Sequence, residues 1–188
     1  MQIEIKKLTT ELLNAWLHYF DNVAYEKGDE WQSCYCMHFH WDEQLKERAK
    51  QERAKNGRPY AIECINGGML QGYIAMQGNE VVGWCNTNDK QAYACDVRQY
   101  NSDKADKIKS IVCFNIALAM RRCGIASMLL EKICVDAAAD GYDYIEAYPF
   151  NMGDKENRDY HGPRSIYEKN GFVIHEELDG YAVVRKYF

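Results

Sequence analysis

The chain has no apolar run near the ~18 residues a membrane-crossing helix needs. Its opening, Met1-Gln2-Ile3-Glu4-Ile5, reads as a strand and not as an export signal. Internal repeats and low-complexity tracts are also missing. Positive charge is not in excess. Against 28 Asp and Glu stand 23 Lys and Arg, for a net charge of −5 and a pI near 5.6. That balance argues against nucleic acid or an anionic membrane as the main partner. Without an export signal, the eight cysteines read as reduced thiols of a cytoplasmic protein. Cys64, Cys85, Cys113 and Cys134 sit among apolar neighbours, as small core residues do. A length of 188 residues is enough for one well-buried core, and nothing calls for a second domain.

What is present centres on residues 110–138. The run Ile111-Val112-Cys113-Phe114-Asn115-Ile116-Ala117 reads as a buried strand. Arg121-Arg122-Cys123-Gly124-Ile125-Ala126 follows, and Ser127 then leads a helical pattern with Met128, Leu129, Ile133 and Val135 on one face. A strand feeding a glycine turn that opens a helix is an anion site. The first helical amides have no partner within the helix, and the dipole adds positive potential there. Gly124 lets a phosphate approach the backbone, and Arg121 and Arg122 add charge. The turn lacks the Gly-Lys-Ser/Thr ending of a triphosphate loop, and one glycine does not make a dinucleotide fingerprint.

It does fit (Gln/Arg)-x-x-Gly-x-(Gly/Ala) at Arg121, Gly124 and Ala126. Downstream, Ser165-Ile166-Tyr167-Glu168-Lys169-Asn170-Gly171-Phe172 supplies a helix carrying Tyr-Glu-Lys-x-Gly-Phe. Together these resemble the acetyl-coenzyme A loop and closing signature of the GCN5-related N-acetyltransferases (GNAT). The resemblance implies an α+β fold, with a mostly antiparallel central sheet, helices on both faces and one splayed strand pair at 109–117 and 142–148. It implies one domain, with 1–71 as acceptor-side elements and 72–188 as the cofactor-binding core. Acetyl-CoA is the implied co-substrate, with no metal, and a small-molecule or peptidyl amine the acceptor; a homodimer is compatible.

Acyl transfer from a thioester needs a neutral amine, a stabilised oxyanion and a proton for the departing thiolate. By the resemblance, the oxyanion donor falls around Ile116-Ala117-Leu118, and residues 121–127 hold the pyrophosphate. Tyr167 takes the place of the thiolate-side acid, and a phenol of pKa near 10 is protonated at neutral pH. The family's frequent Pro-Glu before the loop is replaced by Leu118-Ala119, so no carboxylate stands there. Tyr160 and Pro163 likewise replace a common Asn and Ala before the tyrosine. The candidate bases become Glu146, on the partner splayed strand, and then His161. The other reading of this chemistry is a non-catalytic acyl-CoA-binding module.

Before that core, the pattern predicts a strand at Ile3–Leu8 and a helix capped by Thr9 or Thr10 that runs to Val23. Charged residues from Asp42 to Lys55 predict a second helix, and Pro59 starts a short third one to Ile65. A hairpin spans 72–85 about Gly78-Asn79, and 86–107 and 151–160 read as polar loops. The closing strands fall at 172–175 and 181–185. Read as a strand, Cys34-Tyr35-Cys36-Met37-His38-Phe39-His40-Trp41 puts two cysteines and two histidines on one face. Same-face residues lie roughly 6.5–7 Å apart along a strand, too far for one tetrahedral ion to take them all. The segment, with Trp84, is expected either to wall the acceptor pocket or to pack in the core.

Overall fold

The computed structural model describes residues 2–94, 107–150 and 160–188. Seven strands form one sheet in the order β1-β2-β3-β4-β5-β7-β6. They are β1 (Glu4–Lys7), β2 (Gly72–Gln77), β3 (Glu80–Asp89), β4 (Ile108–Ile116), β5 (Tyr144–Ala147), β6 (Val173–Leu178) and β7 (Tyr181–Tyr187). β4 and β5 run parallel, and the other neighbours are antiparallel. The helices are α1 (Leu13–Asn22), α2 (Glu43–Gln51), α3 (Arg58–Asn66), α4 (Ile125–Ala139) and α5 (Arg164–Lys169). No helix among the described residues is long and apolar enough to cross a membrane.

Strand alternation divides the core. Tyr73 and Ala75 of β2 face α4, and Ile74 and Met76 face the other way, onto α1 and α3. On the first side Ile125, Leu129, Leu130 and Ile133 of α4 pack with Tyr167 of α5. On the second, Trp16 and Phe20 of α1 and Tyr60 and Cys64 of α3 meet Trp84 of β3. The face expected of α4 is turned slightly, since Val135 is 65% exposed while Leu130, Cys134 and Ala137 are buried.

Three expectations are corrected. The stretch 34–41 is not a strand. Short 3-10 turns at Glu30–Ser33 and His38–His40 flank Tyr35 and Cys36, both in the left-handed region at φ 47° and 54°. Such residues cannot alternate between two faces, so the shared Cys/His face does not exist. Tyr35, Cys36 and Met37 lie in the core against α1 and Trp84. Among the described residues, no group of three or more His, Cys, Asp or Glu side chains could hold a metal. Second, 86–89 are strand and not loop. The first three side chains are buried with partners: Asn86 on His40 and the Cys36 carbonyl, Thr87 on the Ser110 carbonyl, Asn88 on the Met69 carbonyl. Of the expected loops, 95–106 and 151–159 lie outside the described residues. Third, the helix expected from Thr9 or Thr10 opens as a 3-10 turn at Thr10–Leu12, and Thr9 at its cap makes no side-chain capping bond.

Candidate active site

The ladder between β4 and β5 joins only four pairs, from Ile108–Tyr144 to Ile111–Ala147. Beyond it the strands part. β4 continues beside β3 to Ile116, whereas the chain after β5 stays with β7, through Ala182 N–H to the Pro149 carbonyl and a bridge between Phe150 and Tyr181. Among the described residues this leaves a gap along one side of β4 beyond Ile111, bridged at Phe114 by the Tyr160 carbonyl.

The register shows which amides face it. Ile116 lies opposite Gly83, and the next residue, Ala117, gives its N–H to the Val82 carbonyl at 3.0 Å. In an antiparallel ladder that pattern turns the Ile116 amide away from β3 and into the gap. Phe114, two residues earlier, has the same orientation, and its N–H meets the Tyr160 carbonyl at 2.6 Å. Of the three residues expected to hold the oxyanion donor, Ala117 is therefore committed to β3. Leu118 is 43% exposed on a 3-10 turn, and Ile116 offers the amide aimed at the gap.

β4 leads into the arginine–glycine turn. Arg121 is half-buried, and its Nε–H reaches back to the Ile116 carbonyl at 3.3 Å, tying the turn to the strand end. Arg122, Cys123 and Gly124 are exposed. Arg122 and Gly124 both adopt left-handed backbone, at φ 63° and 80°. Gly124 caps α4 with no side-chain capping bond, and Ile125, Ala126 and Ser127 form the helix's first turn. A Cβ on Gly124 would meet nothing within 4 Å among the described residues. An uncapped helix start with two arginines beside it suits an oxygen-rich anion.

Tyr167 is fully buried between Phe114 and Phe172, and its hydroxyl donates to the His161 carbonyl at 2.5 Å. Since Tyr160 O is bonded to β4, this hydroxyl lies one peptide from the floor of the gap. The His161 ring packs among Phe39, Tyr148, Phe150 and Tyr160, with centroids 4.4–6.3 Å away. Burial lowers its pKa to about 4. On the opposite face of β4, the Tyr19 hydroxyl donates to Asn115 Oδ1 at 2.5 Å.

Glu146, the first candidate base, is elsewhere. Its side chain is fully buried, with Oε1 taking Lys90 Nζ at 2.5 Å and the Tyr148 hydroxyl at 2.7 Å, while Oε2 takes Arg185 Nε at 2.7 Å. Both oxygens are thus turned to partners inside the protein, and the side chain faces two buried cations and a phenol, away from the gap. The correction follows from Lys90, expected in a loop and found 1% exposed. A signal was available: Glu146 is the one charged residue among Tyr144, Ile145 and Ala147, Arg185 follows the apolar run 182–184, and buried charges come in pairs.

No family model and no curated protein matches the sequence. Solved structures do match the fold. The PaiA N-acetyltransferase of Thermoplasma acidophilum, in complex with coenzyme A, aligns over 100% of both chains at 14% identity and a TM-score of 0.58. The GNAT domain of the S. lividans PAT protein aligns over 99% of this chain and 90% of its own, at 13% identity and a TM-score of 0.59. An N-acetyltransferase from Staphylococcus aureus Mu50 aligns over 100% and 99%, at 15% identity and 0.55. The chain has the fold of the GNAT acetyltransferases.

Proposed function

We propose that the chain is an N-acetyltransferase that moves an acetyl group from acetyl-CoA to a primary amine of a small molecule or peptide. One observation carries the reading: β4 runs on past the end of its β5 ladder, turns an amide into the resulting gap, and leads directly into an arginine–glycine turn opening α4. In this reading the pyrophosphate sits against the amides of 124–127 with Arg121 and Arg122 beside it, and the thioester lies in the gap. The Ile116 amide meets the acetyl oxygen as it gains negative charge. The amine enters from the face bearing α1–α3, past Tyr19 and Asn115. Tyr167 turns its hydroxyl from the His161 carbonyl to the departing sulfur and gives it the proton, and the phenolate so formed regains one from the nitrogen as the amide forms. His161, with a pKa near 4, holds a proton too weakly to take one from an ammonium, so the amine reaches the thioester already neutral.

The test joins binding to turnover. Acetyl-CoA at a hundredfold excess over its Kd should stabilise the protein by about 2.7 kcal/mol and raise its melting midpoint. Arg121→Glu should abolish that rise. Tyr167→Phe should keep it and lower turnover in an amine panel by about 10²-fold or more. No rise in the wild type would end the reading. The second reading, an acyl-CoA-binding module without catalysis, is favoured by the clamped Glu146 and by the Tyr160 carbonyl seated on the Phe114 amide. Acetyl-CoA binding with no turnover across the panel would select it.

A further inference from the structure

At the end of the sheet remote from the gap, where β1 stops and β2 and β4 start, lies a cavity of about 410 Å³. Its walls include Leu8, Ile65 and Leu70 as apolar surface, Lys7, Thr9 and Lys109 as polar groups, and Asp140, whose carboxylate is paired with Lys7. The volume is that of a small-metabolite site.

Lys109 is the unusual member. It is 8% exposed, and its hydrogen bond is a long one, 3.5 Å to the Tyr142 hydroxyl, with the ammonium also 4.9 Å from that ring's centroid. An ammonium has three donors, so this contact leaves it poorly satisfied for a buried charge. The charged groups around it are Asp89, Asp140, Lys7 and Lys107. The two carboxylates are engaged elsewhere: Asp140 holds Lys7 at 3.1 Å, and Asp89 is in contact with the Tyr142 hydroxyl. Lys107 lies over the same Tyr142 ring, 4.4 Å from its centroid. Lys7 is also 3.9 Å from Asp136, and Lys107 Nζ donates to the Asp140 carbonyl, so Lys109 is the buried lysine of the three, held among the described residues only by the Tyr142 hydroxyl and ring. Burial pushes the Lys109 ammonium below its ordinary range, as expected of a cation lacking a full counter-ion.

We propose that this cavity binds a small organic or inorganic anion, its carboxylate or phosphate group seated against Lys109, with Lys7 at the rim and Leu8, Ile65 and Leu70 receiving any apolar body. A bound anion supplies the charge-assisted hydrogen bonds that Lys109 lacks. The site is independent of the acetyltransferase reading.

Sodium phosphate and sodium hexanoate, titrated separately at fixed ionic strength, distinguish the two anion types. At least one should raise the melting midpoint saturably in the wild type. Lys109→Met, which keeps an unbranched side chain and drops the charge, should lose that rise, while Lys55→Met on the exposed surface should keep it. Lys7→Glu, an exposed change that leaves the buried lysine in place, should weaken binding tenfold or more and serves if Lys109→Met does not fold. No response to either anion overturns the proposal. So does a response that never saturates, or one that Lys7→Glu and Lys109→Met both retain. The acetyl-CoA response, measured in the same variants, reports separately on the other site and should be unchanged in Lys7→Glu.

Discussion

At the scale of single residues, the decisive fact is how Glu146 is held. Two cations and a tyrosine hydroxyl converge on a fully buried carboxylate. Taking one partner out of such a cluster leaves charge without compensation, and costs roughly 3–5 kcal/mol. Glu146→Gln keeps the shape and removes the negative charge that faces Lys90 and Arg185. It should lower unfolding stability by about that amount in urea titrations, while protein that remains folded still binds acetyl-CoA. Unchanged stability with lost turnover would return Glu146 to the chemistry. Two glycines make a complementary contrast. A Cβ on Gly72 would lie 2.1 Å from the Cys85 carbonyl oxygen and 2.4 Å from the Trp84 ring, so Gly72→Ala must push β2 off β3. A loss of about 3 kcal/mol is expected, at the upper end for overpacking. Gly124→Ala meets nothing within 4 Å among the described residues and bears only the cost of left-handed backbone, about 1–2 kcal/mol. If the proposed phosphate site is correct, the new methyl stands where the ligand approaches. Gly124→Ala should then weaken acetyl-CoA binding by far more than Gly72→Ala does in protein that stays folded, as calorimetric titration would read.

At the scale of elements, what was legible obeyed local rules. The strand–turn–helix from 108 to 139 could be read because a β-branched run, a glycine and a helical apolar spacing occur in sequence. The parting of β4 from β5 came from resemblance and not from pattern. No periodicity encodes where a ladder stops; here it is set by a remote partner, β7, which keeps the chain after β5 through Pro149 and Phe150. The misread elements share a cause. In 86–89 the side chains are polar, as in a loop, yet each of the first three is bonded to a group distant in sequence, and that compensation is invisible locally. In 34–41 the apparent alternation is accidental, since Tyr35 and Cys36 take left-handed backbone that their residue types rarely adopt. The same blindness hid the site's outline. Tyr167 could be placed by its motif, but that its hydroxyl rests on the His161 carbonyl, or that Lys90 neutralises Glu146, depends on folded contacts alone.

At the scale of the whole molecule, two buried histidines should govern the response to acid. His40 is 1% exposed, with Nε2 3.0 Å from Asn86 Nδ2, an amide nitrogen that can only donate, so that ring nitrogen accepts and carries no proton. His161 is 8% exposed among aromatic rings. Burial lowers both to a pKa of about 4, whereas in the unfolded chain each titrates near 6.5. Between these values the unfolded state binds more protons than the folded one, so stability falls as pH falls. The contribution is fully present above about pH 6.5 and lost by about pH 4. A shift of this size corresponds to roughly 3 kcal/mol per histidine. Asp21 and Asp136 add a separate loss lower down, because their arginine, lysine and tyrosine partners hold them below the ordinary carboxylate range against burial. Urea unfolding measured from pH 7.5 to 4 should therefore show a decline beginning near pH 6.5, well before the carboxylates titrate. His161→Phe, which keeps a ring among Phe39, Phe150 and Tyr160, should remove about half of that early decline and leave the acid limb untouched. A stability curve flat from pH 7 to 5 would mean that neither imidazole is held neutral, and that the sheet face they share with Tyr93 and Tyr148 admits water.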